Sequence, residues 1–289
     1  RFGWLDFVED PAVCAALMEK VEEWAREIGC SAVHGPLGFT DMDQAGMLVE
    51  GFDEPGTMAT IYNHAYYPKY LEQLGYVKDT DWVEYEITVP AKPDSRIAKL
   101  AGIVSRREDL RLVTFTRKKE IIPFAKKLFA LFNESYRNLY GYIPLNEKQV
   151  QDYTKQYFDF IRPEFVPVVL NAAGEMVAFG VTMPSLTKAI QKAGGALFPF
   201  GFIHLLRALR KNDRADLYLI AVKPEYQGKG VNAILINRIC EVFIQNGIHK
   251  VESNPELENN HLVQGQWKHF DTRQHKRRRC YIKHLAEEQ

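Results

Sequence analysis

Leu217-Tyr218-Leu219-Ile220-Ala221-Val222 runs into Lys223-Pro224-Glu225-Tyr226-Gln227-Gly228-Lys229-Gly230, and that turn into Val231-Asn232-Ala233-Ile234-Leu235. The first six residues are nearly all apolar, as a buried strand requires. The last five open a helical pattern that runs to Asn246 and stops at Gly247. Such a strand–turn–helix corner aims unpaired backbone amides and the positive end of a helix dipole at one point. That point suits a phosphate without a charged side chain. Gly228 and Gly230 carry no Cβ to hold a pyrophosphate off the backbone, and Lys229 adds a positive charge. The G-x-x-x-x-G-K-[ST] spacing is missing, and G-x-G-x-x-G fails at Ala233, so neither common phosphate loop fits. The plain alternative is a corner whose glycines serve only the turn.

Outward from this corner, the C-terminal half alternates strands and helices. A strand is expected over 110–116 and an amphipathic helix over 120–137, with Ile121, Phe124, Leu128, Leu131 and Phe132 on one face. A second helix over 147–161 is capped by Asn146. Runs at 165–171 and 176–183, joined by Ala172-Ala173-Gly174-Glu175, read as a hairpin. An insertion at 185–212 is helical in tendency, aromatic at Phe198, Phe200 and Phe202, and basic at its end. Strands at 215–222, 249–253 and 278–282 and helices at 231–246 and 259–270 complete the pattern, which predicts an α/β fold with a mixed sheet.

The N-terminal half reads as a strand over 2–8, a helix over 11–29, a strand over 31–34, a helix over 61–74 and a strand over 82–89. Asp10-Pro11 caps the first helix, and Val13, Leu17, Val21, Trp24 and Ile28 form its apolar stripe. Pro90 and Pro93 mark a connection. The division expected is therefore 1–90, a linker at 91–108 and a domain at 109–289. Asp41, Asp43, Glu50 and Asp53 miss the calcium-loop pattern, so no metal is expected. Because the chain opens on Arg1 within an apolar stretch, residues are expected before it.

Thirty-seven Lys and Arg balance thirty-seven Asp and Glu. Zero formal charge argues against a nucleic-acid partner for the chain as a whole. No apolar run approaches the ~20 residues of a membrane span, and no secretory leader is expected. Cys14, Cys30, Cys240 and Cys280 form no C-x-x-C pair, which fits free thiols and a cytoplasmic setting. His275-Lys276-Arg277-Arg278-Arg279 reads as a solvated strand edge, with RNA or a nucleotide 3′-phosphate as the functional alternative. Tyr136, Tyr140, Tyr142, Tyr153 and Tyr157 cluster around the two helices that follow the 110–116 strand, and Tyr281 reads as core.

The central stretch resembles the acyl-CoA segment of the GNAT acyltransferase superfamily. In that family a strand ends in V-x-P, an aromatic follows, and [RQ]-x-x-G-x-[GA] opens a helix. Val222, Pro224, Tyr226, Gln227 and Gly230 match in register, while Asn232 stands where glycine or alanine is usual. The element order from Leu110 onward is similar to the family's. Ser253-Asn254-Pro255-Glu256-Leu257-Glu258-Asn259-Asn260 resembles the end of its fifth strand and the asparagine opening its next helix. The first half resembles a partial second copy of the same fold. Its phosphate loop, Glu9-Asp10-Pro11, has no glycine and two carboxylates, so it should repel a pyrophosphate.

The resemblance implies a tandem GNAT-like fold, with acetyl-CoA or another acyl-CoA as co-substrate and direct attack on the thioester by the amine of a small molecule or peptide. The strand at 219–222 would splay from its neighbour and hold the pantetheine arm. The residues implied for CoA are Leu219, Ile220, Ala221, Val222, Gln227, Gly228, Lys229, Gly230, Val231, Asn232 and Asn259. Base candidates are Asp216 and Glu252, each equally readable as a paired structural charge. The family's usual acid is a tyrosine near the penultimate helix; residues 259–270 contain none, which leaves the acid unassigned. The other readings are an aminoacyl-tRNA-dependent transferase and a scaffold with a decayed site. Monomer and homodimer are both open.

Overall fold

The computed structural model describes residues 1–158 and 160–285. In chain order it contains α1 (Pro11–Glu27), β1 (Ala32–Gly35), β2 (Met47–Glu50), α2 (Tyr66–Gln73), β3 (Val77–Thr88), α3 (Ser95–Arg107), β4 (Arg111–Val113), α4 (Ile122–Tyr136) and α5 (Glu147–Phe158). Then follow β5 (Val168–Leu170), β6 (Met176–Pro184), α6 (Thr187–Lys192), α7 (Gly201–Arg210), β7 (Arg214–Val222), α8 (Asn232–Gln245), β8 (Lys250–Ser253), β9 (Glu256–Leu257), α9 (His261–Gln264) and β10 (Asp271–His284). The chain divides into two compact units. The first holds Arg1–Tyr85, Pro255–Trp267 and the chain from Arg273 onward; the second holds Glu86–Asn254 and Lys268–Thr272. The stretch 109–289, read from the sequence as one domain, thus contributes to both.

In the first unit β10 lies between β1 and β3, with Val33 opposite Lys283, and β9 pairs with β3 through Trp82 and Leu257. Phe2, Phe7, Cys14, Met18, Tyr67, Leu71 and Tyr281 share one core. The segment expected as a strand over 2–8 is irregular. Phe2 donates its N–H to His34 at 3.0 Å and accepts from Leu37 at 2.8 Å, whereas Phe7 bonds to side chains of α2, donating to the Tyr67 hydroxyl at 3.1 Å and accepting from the Tyr66 hydroxyl at 2.8 Å. Trp4 takes φ 48°, which breaks any extended run.

The buried stripe of α1 is also one residue out of register with the expected one. Cys14, Met18, Glu22 and Ala25 face inward, while Val13, Leu17, Trp24 and Ile28 are exposed. Glu22 tolerates burial because it accepts from the Tyr76 hydroxyl at 3.1 Å and pairs with Lys283 at 2.8 Å.

The basic run on β10 is not a solvated edge. Lys276 and Arg278 point inward, buried, and both meet the buried carboxylate of Glu84, at 2.9 and 2.6 Å. Arg277 and Arg279, on the opposite face as strand alternation requires, reach Asp81 at 3.1 and 2.9 Å.

The second unit carries the order β4-β5-β6-β7-β8, and β8 pairs in turn with residues 86–88 of β3. Each pairing is antiparallel except β7–β8. This is a mixed α/β fold with a mostly antiparallel open sheet. Where 91–108 was expected to be a connection, α3 forms. Asp94 caps it by accepting the Arg96 N–H at 2.7 Å, and Ala101 and Val104 bury against Val231, Ala233 and Ile234 of the α8 side. The α4 helix packs on β6 and β7, and the 185–212 insertion is helical as expected.

Candidate active site

The parallel pairing of β7 with β8 runs from Arg214↔Lys250 to Leu217↔Ser253. There β8 ends, while β7 continues to Val222 on β6. On the β6 side, Val181 faces Leu219 and Thr182 faces Leu217, so Tyr218 is an extra residue in β7, a β-bulge. A bulge bends its strand and increases the local twist. A bent β7 and a short β8 together make a fork. Asn254 closes its base, donating its backbone N–H to Leu217 at 3.2 Å and its side-chain amide to the Tyr218 carbonyl at 3.2 Å.

Leu219, Ile220, Ala221 and Val222 form the β7 arm of the fork. The Ile220 carbonyl accepts the Tyr136 hydroxyl at 3.0 Å, and the Val222 carbonyl accepts Ser135 Oγ at 3.2 Å, both from α4. Tyr136 belonged to the tyrosine cluster seen in the sequence; Ser135 carried no signal there.

The arm leads into the glycine corner. One 3-10 turn, Pro224–Tyr226, redirects the chain, and Gln227 folds back to donate to the Val222 carbonyl at 3.0 Å. Gly228 and Gly230 have φ 73° and 84°, the left-handed region that penalises any side chain. A Cβ on Gly230 would lie 3.2 Å from Val104 of α3, whereas one on Gly228 would meet nothing within 4 Å. The glycines therefore serve backbone conformation, and at 230 close packing on α3. Val231 and Asn232 open α8, and no side chain among the described residues caps this start. Ala233 and Ile234 donate back to the Gly230 and Val231 carbonyls, both at 3.0 Å, so the amides placed to hold a phosphate are those just before them, at 230–232.

Lys229 is held at this corner. Its ammonium lies 3.4 Å from Glu108 Oε2 and 5.1 Å from the Tyr226 ring centroid, and its carbonyl accepts from Arg107 at 2.8 Å. Arg107 and Glu108 were missed in the sequence because they fall in the segment read as a linker.

Asp216 and Glu252 stand in register across β7 and β8, both buried. Glu86 faces Glu252 from β3 and is itself paired with Arg214 at 3.1 Å and Lys250 at 3.2 Å. Burial, and after it the neighbouring Asp216 and Tyr157, raises the Tyr218 phenol. Asn259 falls in the first unit. The residue that caps α9 is its neighbour Asn260, which accepts the Val263 N–H at 3.4 Å.

Residues 126–264 match the profile of the acetyltransferase (GNAT) family. Protein YghO of Escherichia coli (strain K12) is 27% identical over 294 residues, 99% of this chain and 74% of that protein. A bacterial ceramide synthase of Caulobacter vibrioides is 26% identical over 235 residues, 78% of this chain and 59% of its own length. Among solved structures, a GCN5-related N-acetyltransferase from Sphaerobacter thermophilus superposes with a TM-score of 0.53 at 12% identity, covering 96% of this chain and 69% of that one. A tandem GNAT protein from the clavulanic acid biosynthesis pathway gives 0.50 at 12% identity, covering 98% and 73%. A forked sheet, a glycine corner opening a helix and these likenesses agree: the chain has a GNAT fold, and its residues 126–264 match that family.

Proposed function

We propose that the second unit is an acyl-CoA-dependent N-acyltransferase, with acetyl-CoA as the simplest donor. The observation that carries this reading is the continuity of the fork at 218–222 with the glycine corner, whose amides at 230–232 lead into α8 with no side-chain cap. A diphosphate is expected on the amides of 228–232, near Lys229, and a pantetheine arm along 219–222. Asn232, as the first residue of α8, fits such a cradle because its side chain is not needed to build the turn.

The acceptor amine attacks the thioester carbonyl: a C–N bond forms, the C–S bond breaks, and the sulfur leaves as the CoA thiol once the proton lost by the amine has been passed on to it. Glu252 and Asp216, beside the base of the fork, are the groups proposed to take the proton released by the amine. An amide N–H of β7 is proposed to stabilise the oxyanion. A ceramide is a fatty amide, so the relative that bears the name ceramide synthase supports an amine acceptor.

We read the first unit as a partial GNAT-like copy with no CoA site of its own. Asp10 accepts the Ala12 N–H at 2.8 Å, so a carboxylate already caps α1 where a phosphate would go.

Calorimetric titration of acetyl-CoA against wild type and Asn232→Glu tests the proposal. A carboxylate in the first turn favours the helix but repels a diphosphate. The variant should melt like wild type and bind about a hundredfold more weakly. Equal affinities, or a wild type that ignores CoA, would refute the assignment.

A further inference from the structure

Between β6 and β7 the chain leaves the sheet through α6, a turn at Gly194-Gly195, and α7. Residues 185–212 contain Lys188, Lys192, Arg207, Arg210 and Lys211 and not one Asp or Glu, in a chain whose formal charge is zero. Lys188 is engaged by Asp213 at 2.8 Å, just outside the stretch. The same stretch exposes Leu197, Phe198, Phe200, Phe202 and Leu206, with Phe198 78% and Phe200 68% accessible. Phe202, Leu206 and Arg210 recur every four residues, so they share one face of α7. The Phe198 ring centroid lies 6.1 Å from that of Phe202.

The insertion is rooted rather than loose. Leu186 and Ala189 are buried, and Gly201 sits so close to the Ala196 carbonyl that a Cβ would come within 1.8 Å of it. The apolar side chains are therefore presented outward by ordered backbone. An exposed cluster of this size marks an interaction surface in a folded protein.

We infer that the face built by residues 197–211 docks on a bilayer containing anionic lipid. Phenylalanine and leucine flanked by Arg and Lys, with no acid, match what partitions into the headgroup boundary. The charge is complementary to an anionic leaflet. Self-association fits less well, since a two-fold interface would set Arg207, Arg210 and Lys211 against their own copies. This inference stands apart from the acyl-transfer reading.

The test is co-sedimentation of the full chain with vesicles of phosphatidylcholine containing phosphatidylglycerol, and with phosphatidylcholine alone, at low and high salt. Wild type should pellet with the anionic vesicles and lose most of that binding without phosphatidylglycerol or in high salt. Phe198→Ser/Phe200→Ser should weaken partition by roughly tenfold or more, since both side chains would otherwise enter the boundary. Arg207→Gln/Arg210→Gln should weaken it by roughly tenfold and flatten its salt dependence. All four positions are exposed, and circular dichroism checks that each variant keeps its fold. Wild type that stays in the supernatant, or variants that bind as it does, would overturn the inference. So would a wild-type dimer that Phe198→Ser/Phe200→Ser dissolves while vesicles are ignored.

Discussion

Asp216 and Glu252 face each other across the parallel β7–β8 pair, one residue before the strands part at Leu217 and Ser253. Two buried carboxylates at the base of a fork are costly unless protons or cations balance them. Glu86, the neighbour of Glu252 on β3, already takes Arg214 and Lys250. Glu252→Gln keeps the shape and removes the proposed base. It should lower kcat by roughly a hundredfold or more while leaving acyl-CoA affinity near wild type. Release of free CoA thiol across a panel of amines gives kcat, and calorimetry gives affinity. Lost affinity with intact kcat would place Glu252 in binding instead.

Glu108 shadows the ammonium of Lys229. A hydrogen bond from Arg107, partly opposed by desolvation and aided by Lys229, holds the Glu108 carboxyl below its ordinary value, so it is ionised at neutral pH. A diphosphate bound as proposed would therefore meet a carboxylate beside Lys229. Glu108→Gln should tighten CoA binding by about threefold in low salt, and the gain should shrink as salt rises. Titrations at two ionic strengths decide it; weaker binding would show that Glu108 orders the corner rather than opposing the ligand.

The corner at 222–232 was legible in the sequence because it is local: strand, glycines and helix are contiguous, and their backbone needs appear as residue types. The fork was legible only through resemblance, since it depends on where β8 stops. Non-local partners explain the rest. Val13 and Leu17 are more apolar than Met18 and Glu22, yet Tyr76 and Lys283 draw Glu22 inward and turn the helix by one residue. The run at 275–279 looked like a charged surface because Glu84, which neutralises Lys276 and Arg278, lies far away in the chain. Residues 95–107 looked like a linker because few apolar positions, Ile97, Ala101 and Val104, suffice to seat α3 on a neighbour that sequence alone cannot supply.

The four free thiols sort by environment. Cys30 is exposed, Cys14 and Cys280 are buried, and Cys240 is half-buried. Burial raises the Cys14 thiol, and burial with the nearby Glu241 pushes Cys240 up to about 11. Reaction needs both access and thiolate. Native protein treated with an aromatic disulfide reagent should show one fast-reacting thiol, removed by Cys30→Ser, and four in denaturant. Two fast thiols in the native state would mean that α8, which carries Cys240, opens readily.

The ion-pair ladder of the first unit sets its acid limit. Burial raises the Glu84 carboxyl, but Arg278 and Lys276 more than reverse this, leaving it below its ordinary 4.5. A group depressed on folding contributes stability above its unfolded value, and that contribution is lost as pH falls through the folded value. Glu84→Gln strands two buried cations, which also tie Ile61 and Pro55 through their carbonyls. It should cost about 3–5 kcal/mol at neutral pH and flatten the acid limb of the stability profile. Replacing Glu84, Lys276 and Arg278 together by methionine should recover much of the loss, because no charge is then left unpaired. Urea unfolding of the three proteins from neutral to acid pH measures both effects. A Glu84→Gln variant as stable as wild type would mean that Lys276 and Arg278 are neutralised by other groups.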